Sequence, residues 1–228
     1  MIQCPFNTIM YSFDLNTNLA HIQNVLANQV IKEDVFEHLE NIAGVDVSFS
    51  QGNQAVAAAV LLDRTTLKIT ETATRKVELL FPYMSGFLGF READAMFSVL
   101  NQLKNDVDAL LVNGHGIMHP QGFGLASQVG LMMDLPTLGV AKRLIVGSHI
   151  KGGIHFPTHL SKQVVFGNEV VGAYINGNYV SIGHKISLKT AVKLVKDTSI
   201  FKTPETLRQA HIIATNTFKN VLNKTNIS

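Results

Sequence analysis

Cys4 is the only cysteine in the chain, so no internal disulfide can form. That fits a reducing compartment, and a cytoplasmic location is expected. Charge is scarce too. Asp, Glu, Lys and Arg make up 16% of the 228 residues, against roughly 25% in typical soluble domains. Where carboxylates cluster near glycines in such a chain, a reason is needed. The net charge of +2 does not demand a nucleic-acid partner. Nor does it exclude one, because a local basic patch can hold phosphates on a nearly neutral protein. No apolar run reaches the roughly 18 residues of a membrane helix. The N-terminus lacks the basic-then-apolar order of a secretory signal. No membrane partner is expected. Repeats and low-complexity tracts are also missing. What is present is 46% apolar residues, enough for a sizeable core, in a length that suits one domain over residues 1–228.

Residues 19–31 have the helical period of apolar positions, with Leu19, Ile22, Val25, Leu26 and Val30. Three strand-like runs follow, Ile42–Phe49, Ala55–Leu62 and Leu67–Val77. Gln51-Gly52-Asn53 and Asp63-Arg64-Thr65 fit the turns between them, so an antiparallel meander is expected. Phe81–Gly89 reads as loop and Arg91–Leu103 as helix. Asp108–Val112 is a short strand, Leu125–Met133 a helix and Thr137–Val140 a buried strand. Val170–Ile175 and Tyr179–Ile182 flank Asn176-Gly177-Asn178, a hairpin signal. Ser187–Lys196, with Ser187 as N-cap, and Glu205–Leu222 close the chain as helices. Antiparallel strands followed by strand–helix alternation suggest an α/β mixed sheet covered by helices, which several folds satisfy.

Three acid or amide groups stand in or at the ends of apolar segments. Asp46 lies between Val45 and Val47, where a charge is expensive unless paired or bound to metal. A solvent-facing strand residue would have the same pattern. Glu92 stands at the expected helix start, where the helix dipole alone favours an acid. Asn113 ends a strand and precedes Gly114 and Gly116. It could be a turn former, or it could border a ligand at the carboxyl end of a strand. His115 and His119 are four apart, as are His155 and His159, but glycine and proline between or beside them argue against helical zinc pairs. Gly114-His115-Gly116 lacks the third glycine of a dinucleotide fingerprint.

The order of these groups, together with their neighbours, resembles the endonuclease V family. The motifs are AGVDV at 43–47, PYMSGFLGFRE at 82–92, VNGHGIMHP at 112–120, GLAS at 124–127, PTLGVAK at 136–142 and VSIGHK at 180–185. The resemblance runs from about Ile42 to His211. It implies a ribonuclease H-like fold, in which an antiparallel meander is followed by parallel strands and the sheet is flanked by helices. It further implies a DNA-repair endonuclease that nicks a strand 3′ to deoxyinosine, one nucleotide beyond the lesion, with Mg2+ as cofactor and Mn2+ as substitute.

By that resemblance Asp46, Glu92 and Asn113 occupy metal-ligand positions, and His119, Lys142 and His211 complete the catalytic set. For His211 a core histidine with a satisfied hydrogen bond is an equal reading. Pro82, Tyr83, Met84 and Ser85 match a wedge loop that fills the gap left by an extruded base. The family more usually has proline where this chain has Ser85. Gly86, Leu88, Gly114 and Leu125 are implied to line the base pocket. Inosine-containing DNA is the expected partner, with RNA as a further candidate, and the protein is expected to act as a monomer. Asn113 departs from the family, which usually has aspartate there. A natural variant with a reorganised shell, a weak or inactive inosine-binding protein and an engineered substitution all fit that departure.

Overall fold

Residues 55–62 read AVAAAVLL, apolar throughout with no alternation. A strand of that kind must be covered on both faces. In the computed structural model, which describes residues 14–49, 53–149 and 162–225, this run forms β2 (Gln54–Asp63), buried from Ala55 to Leu62. It pairs antiparallel with β1 (Asn41–Phe49) on one side and β3 (Ile69–Glu78) on the other. β3 is one edge of the sheet. Its Lys76, Arg75 and threonines keep that edge polar and hinder pairing with a foreign strand.

After the meander the chain alternates strand and helix. β4 (Ala109–Asn113) runs parallel to β1, and β5 (Thr137–Ala141) runs parallel to β4. The connections carry α2 (Leu88–Leu100) and α3 (Leu125–Met133). β6 (Ser148–His149), β7 (Lys162–Phe166), β8 (Glu169–Ile175) and β9 (Asn178–His184) extend the sheet antiparallel. The order among the described strands is β3-β2-β1-β4-β5-β9-β8-β7-β6. This is the mixed sheet expected from the order of elements.

α1 (Leu15–Ala27), α4 (Leu188–Asp197) and α5 (Glu205–Thr225) complete the chain. Ser187 caps α4 as expected, its hydroxyl accepting from the Thr190 N–H at 3.2 Å. On one face of the sheet Ala43, Val45 and Val47 pack with Ala93 and Met96 of α2 and Val129 of α3. On the other, Ile42 packs in a cluster with Leu207 of α5 and Val192 and Val195 of α4. Gly44 lies on this second face, and a Cβ there would meet Thr206 Cβ at 2.5 Å and its backbone carbon at 2.7 Å. Glycine is what lets α5 lie directly on β1.

Three expectations shift. α1 begins at Leu15, four residues before the expected start, because Asp14 caps it by accepting from the Asn16 N–H at 3.1 Å. α2 begins at Leu88 rather than Arg91, with Phe87 at its N-cap and no capping side chain to mark it. Glu92 therefore stands in the second turn, where the dipole no longer accounts for it. β7 was not anticipated from sequence. Gln163 is buried in it, and a buried polar residue obscures the alternation that would mark a strand. Gln51, Gly52, His155 and His159 lie outside the described residues.

Candidate active site

Parallel pairing of β1 with β4 sets Val45 beside Val112, so Asp46, within β1, and Asn113, the last residue of β4, follow as neighbours. The Asn113 Nδ2–H group donates to Asp46 Oδ1 at 2.8 Å. The Gly44–Thr206 contact then brings His211 over the same carboxylate. Five helical residues from Thr206 rise about 7.5 Å, and two strand residues from Gly44 advance about 6.6 Å. His211 accordingly meets Asp46, its Nδ1–H donating to Oδ2 at 2.7 Å, while the imidazole stays 64% exposed. His211 therefore lies on an open surface against Asp46 and is not a core histidine.

Glu92 enters from α2. It is 5% exposed and Asp46 is 4% exposed. Burial, and then the charge of Asp46, push the Glu92 carboxyl up to about 8. Two buried carboxylates that repel each other need a proton or a cation between them. Hard oxygen donors of this kind fit Mg2+ or Mn2+. Asn113 could add its amide oxygen, which is not the atom that meets Asp46. Among the described residues no group of three His, Cys, Asp or Glu is gathered for a metal.

Lys142 leaves the end of β5. Its Nζ donates to Asn178 Oδ1 at 2.7 Å and to Thr203 Oγ1 at 2.6 Å. Partial burial, and then nearby Lys202, lower its pKa. Two of three ammonium N–H groups are held by the protein, so the charge has a fixed address. Asn178, fully buried, is itself oriented by donating to the carbonyls of Asn176 and Lys202. Neither Asn178 nor Thr203 stood out in the sequence. Asn178 looked like a hairpin residue, and its second task is visible only from its contacts.

His119 is buried and neutral, its pKa pushed down to about 4 by burial. A carbonyl can only accept, so Nε2–H donates to Gly86 O at 2.9 Å. Nδ1 accepts from the Gln121 N–H at 3.3 Å. In this arrangement His119 ties down the loop at Gly86. The same carbonyl accepts from Gln23 Nε2 at 3.0 Å, and that amide also donates to Phe123 O at 3.1 Å. Gln23, 1% exposed, comes from α1, whose purpose the sequence did not disclose.

The loop between β3 and α2 turns at Met84–Phe87, closed by Phe87 N–H to Met84 O at 3.0 Å. Gly86 has φ +85, the left-handed conformation that glycine adopts without strain. Tyr83 is 67% exposed at its tip. A cavity of about 120 Å3 opens beneath, lined by Tyr83, Met84, Ser85, Gly86, Leu88, Gly114, His119 and Leu125. Pro82 stands beside it, exposed. All four residues expected for the base pocket therefore share one cavity with three of the four wedge residues. Gly89, His115, Gly124 and Ile145 also line it and were not expected there.

Residues 24–212 match the family profile described as Endonuclease V. Endonuclease V of Rippkaea orientalis is 38% identical over 205 residues, covering 86% of this chain and 88% of that protein. The human endonuclease V catalytic domain superposes with a TM-score of 0.83 at 30% identity, covering 92% of this chain and 98% of that one. A Ciona intestinalis endonuclease V variant, solved with a 23mer DNA containing an inosine followed by a ribo-adenosine, gives 0.82 at 27% identity over 92% and 99%. The fold is the ribonuclease H-like one.

Proposed function

The chain belongs to the endonuclease V family, and from that premise we propose that it nicks DNA on the 3′ side of deoxyinosine, one nucleotide beyond the lesion, as a Mg2+-dependent DNA-repair enzyme. Mn2+ serves as a substitute. The observation that carries the reading is the buried Asp46–Glu92 pair beside the end of β4, adjoining the Tyr83 cavity through the consecutive residues Asn113 and Gly114.

Asp46 and Glu92 would hold the cation, with Asn113 as a weaker, neutral ligand. When bound, a divalent ion supplies polarisation of the scissile phosphate and a more acidic water. The protein's own groups do the rest. His211, on Asp46, is near enough to exchange a proton with solvent. Lys142 presents a fixed positive charge to the phosphate. Tyr83, at the tip of the wedge loop, fills the gap in the stack while the base enters the cavity beneath.

Hypoxanthine carries a carbonyl where adenine carries an amine, so N–H donors favour it. The first-turn amides of α2, at Leu88 and Gly89, have no acceptor within their helix and border this cavity. They suit that carbonyl. His119 and Gln23 keep the loop at the height this requires.

No described helix is long and apolar enough to cross a membrane. We assign the work to a single-domain monomer in the cytoplasm. The test is a nicking assay on paired DNA and RNA strands that carry one inosine, with Mg2+ and with Mn2+. Cleavage one nucleotide beyond inosine, dependent on either metal, is expected. Failure to cut at high enzyme concentration sinks the enzymatic reading. Asn113 favours one second reading, a protein that binds inosine strands without turnover. It would be met by tight, salt-dependent binding in the same samples.

A further inference from the structure

Two cavities flank the strand ends. Gly114 lines the smaller one, under Tyr83. Asn113, its neighbour in the chain, lines a second of about 280 Å3, together with His211, Lys142, Thr203 and Arg208. Beyond Arg208 the surface turns apolar. Ile200 is 55% exposed and Phe201 67% exposed. Phe201 is nonetheless set in position. The Arg208 guanidinium lies over its ring, 5.6 Å from the centroid. Glu205 holds that guanidinium in a fork, Nε to Oε2 at 2.8 Å and Nη2 to Oε1 at 2.5 Å. One ring face is backed by a fixed planar cation, and much of the ring is left to solvent. Lys202 follows in the chain, and Lys142 stands across the cavity. Glu205 offsets much of the Arg208 charge, so the two lysines supply the attraction for anions.

A pre-set aromatic face beside two lysine ammonium groups, one of them fixed with an N–H to spare, matches the chemistry of a single strand, with bases on the ring and phosphates on the lysines. We propose that Phe201 is a stacking platform for the nucleotides on the 3′ side of the cut, with their phosphates led past Lys142 and Lys202. This rests on the reading that the strand is nicked one nucleotide beyond inosine. With inosine in the smaller cavity and the cut phosphate at Asp46, Glu92 and Asn113, the strand past the cut faces the larger cavity and then Phe201. An apolar ring held out in water by an Arg–Glu pair contributes little to a core, which leaves binding as its use.

The chain has no tryptophan. Phe201→Trp therefore installs a single fluorophore on the platform. The full-length chain is mixed, without added metal so that strands stay whole, with inosine strands that either carry a long 3′ arm or end at the cut. Emission should be quenched by the long-armed strand alone. Phe201→Ala should weaken binding of that strand about ten-fold and leave the short one unchanged, with the melting temperature unmoved. Equal quenching by both strands, quenching by an arm added only on the 5′ side, or an unchanged affinity in Phe201→Ala overturns the platform while inosine preference persists. If the unmodified chain binds inosine and adenine strands alike, the functional reading itself has failed and the platform falls with it.

Discussion

Asn113→Asp should turn a centre that holds together unaided into one that needs a cation. At present the Asn113 amide donates to Asp46 at 2.8 Å. Aspartate would remove that donor and set one carboxylate against another. Two unit charges about 4 Å apart, at an effective dielectric near 20, repel by about 4 kcal/mol. Loss of the hydrogen bond to a charged group adds roughly 1.5–3 kcal/mol. Proton sharing between the carboxylates returns part of this. The metal-free protein at neutral pH should therefore lose at least the hydrogen-bond share, roughly 1.5–3 kcal/mol. A divalent cation reverses the sign, because the added charge becomes a ligand. Urea unfolding in EDTA and in Mg2+ measures both halves. The variant should be less stable than its parent in EDTA, gain more from Mg2+, and nick an inosine strand at least ten-fold faster at limiting metal. A variant as stable as its parent in EDTA would refute the charge argument. A variant with no gain in metal affinity would refute the role given to position 113.

Other perturbations follow from the same geometry. Glu92 holds its proton to about 8 when folded and to its usual 4.5 when unfolded. Stability is therefore fully present below about 4.5 and lost as pH climbs towards 8, by up to ~5 kcal/mol. Melting curves of the metal-free protein should show that slope and Glu92→Gln should flatten it; parallel curves would refute it. Gly44→Ala pushes Thr206 away from β1 and should lower stability by about 1–3 kcal/mol. The same change should lift His211 off Asp46, seen as a displaced His211 ring resonance by NMR. Ser85 is the second residue of a turn whose third, Gly86, has φ +85, where proline is favoured at the second position. Ser85→Pro should stabilise by roughly 0.4–1 kcal/mol and lower KM more than it changes kcat. A destabilised variant would mean that the Ser85 backbone does not fit proline.

Much of this was legible because local chemistry carried it. Unbroken apolar runs marked β2 and β4, glycine and asparagine marked the hairpin before β9, and the motif around Asp46 and Asn113 marked the strand ends. What stayed hidden was action at a distance in sequence. Gln23 donates to carbonyls 63 and 100 positions away, and Asn178 receives Lys142 from 36 positions back. An amide that satisfies remote backbone leaves no periodic trace. The start of α2 was missed by three residues because no side chain caps it, and with it went the reason Glu92 is not a dipole residue. The cluster of Phe201, Glu205 and Arg208 reads in one dimension as an ordinary loop and helix start.

The carbonyl of Gly86 takes one donor from His119, inside the motif region, and one from Gln23, outside it. A fragment begun at β1 would keep every motif residue and lose half of what holds the wedge loop in place. Its pocket would still have the right walls, but the loop above would be hinged where it is now bolted. Such a fragment should recognise inosine with less discrimination although no residue that touches the base has changed. The residues that make a site recognisable and those that make it rigid are, in this chain, different residues on different elements.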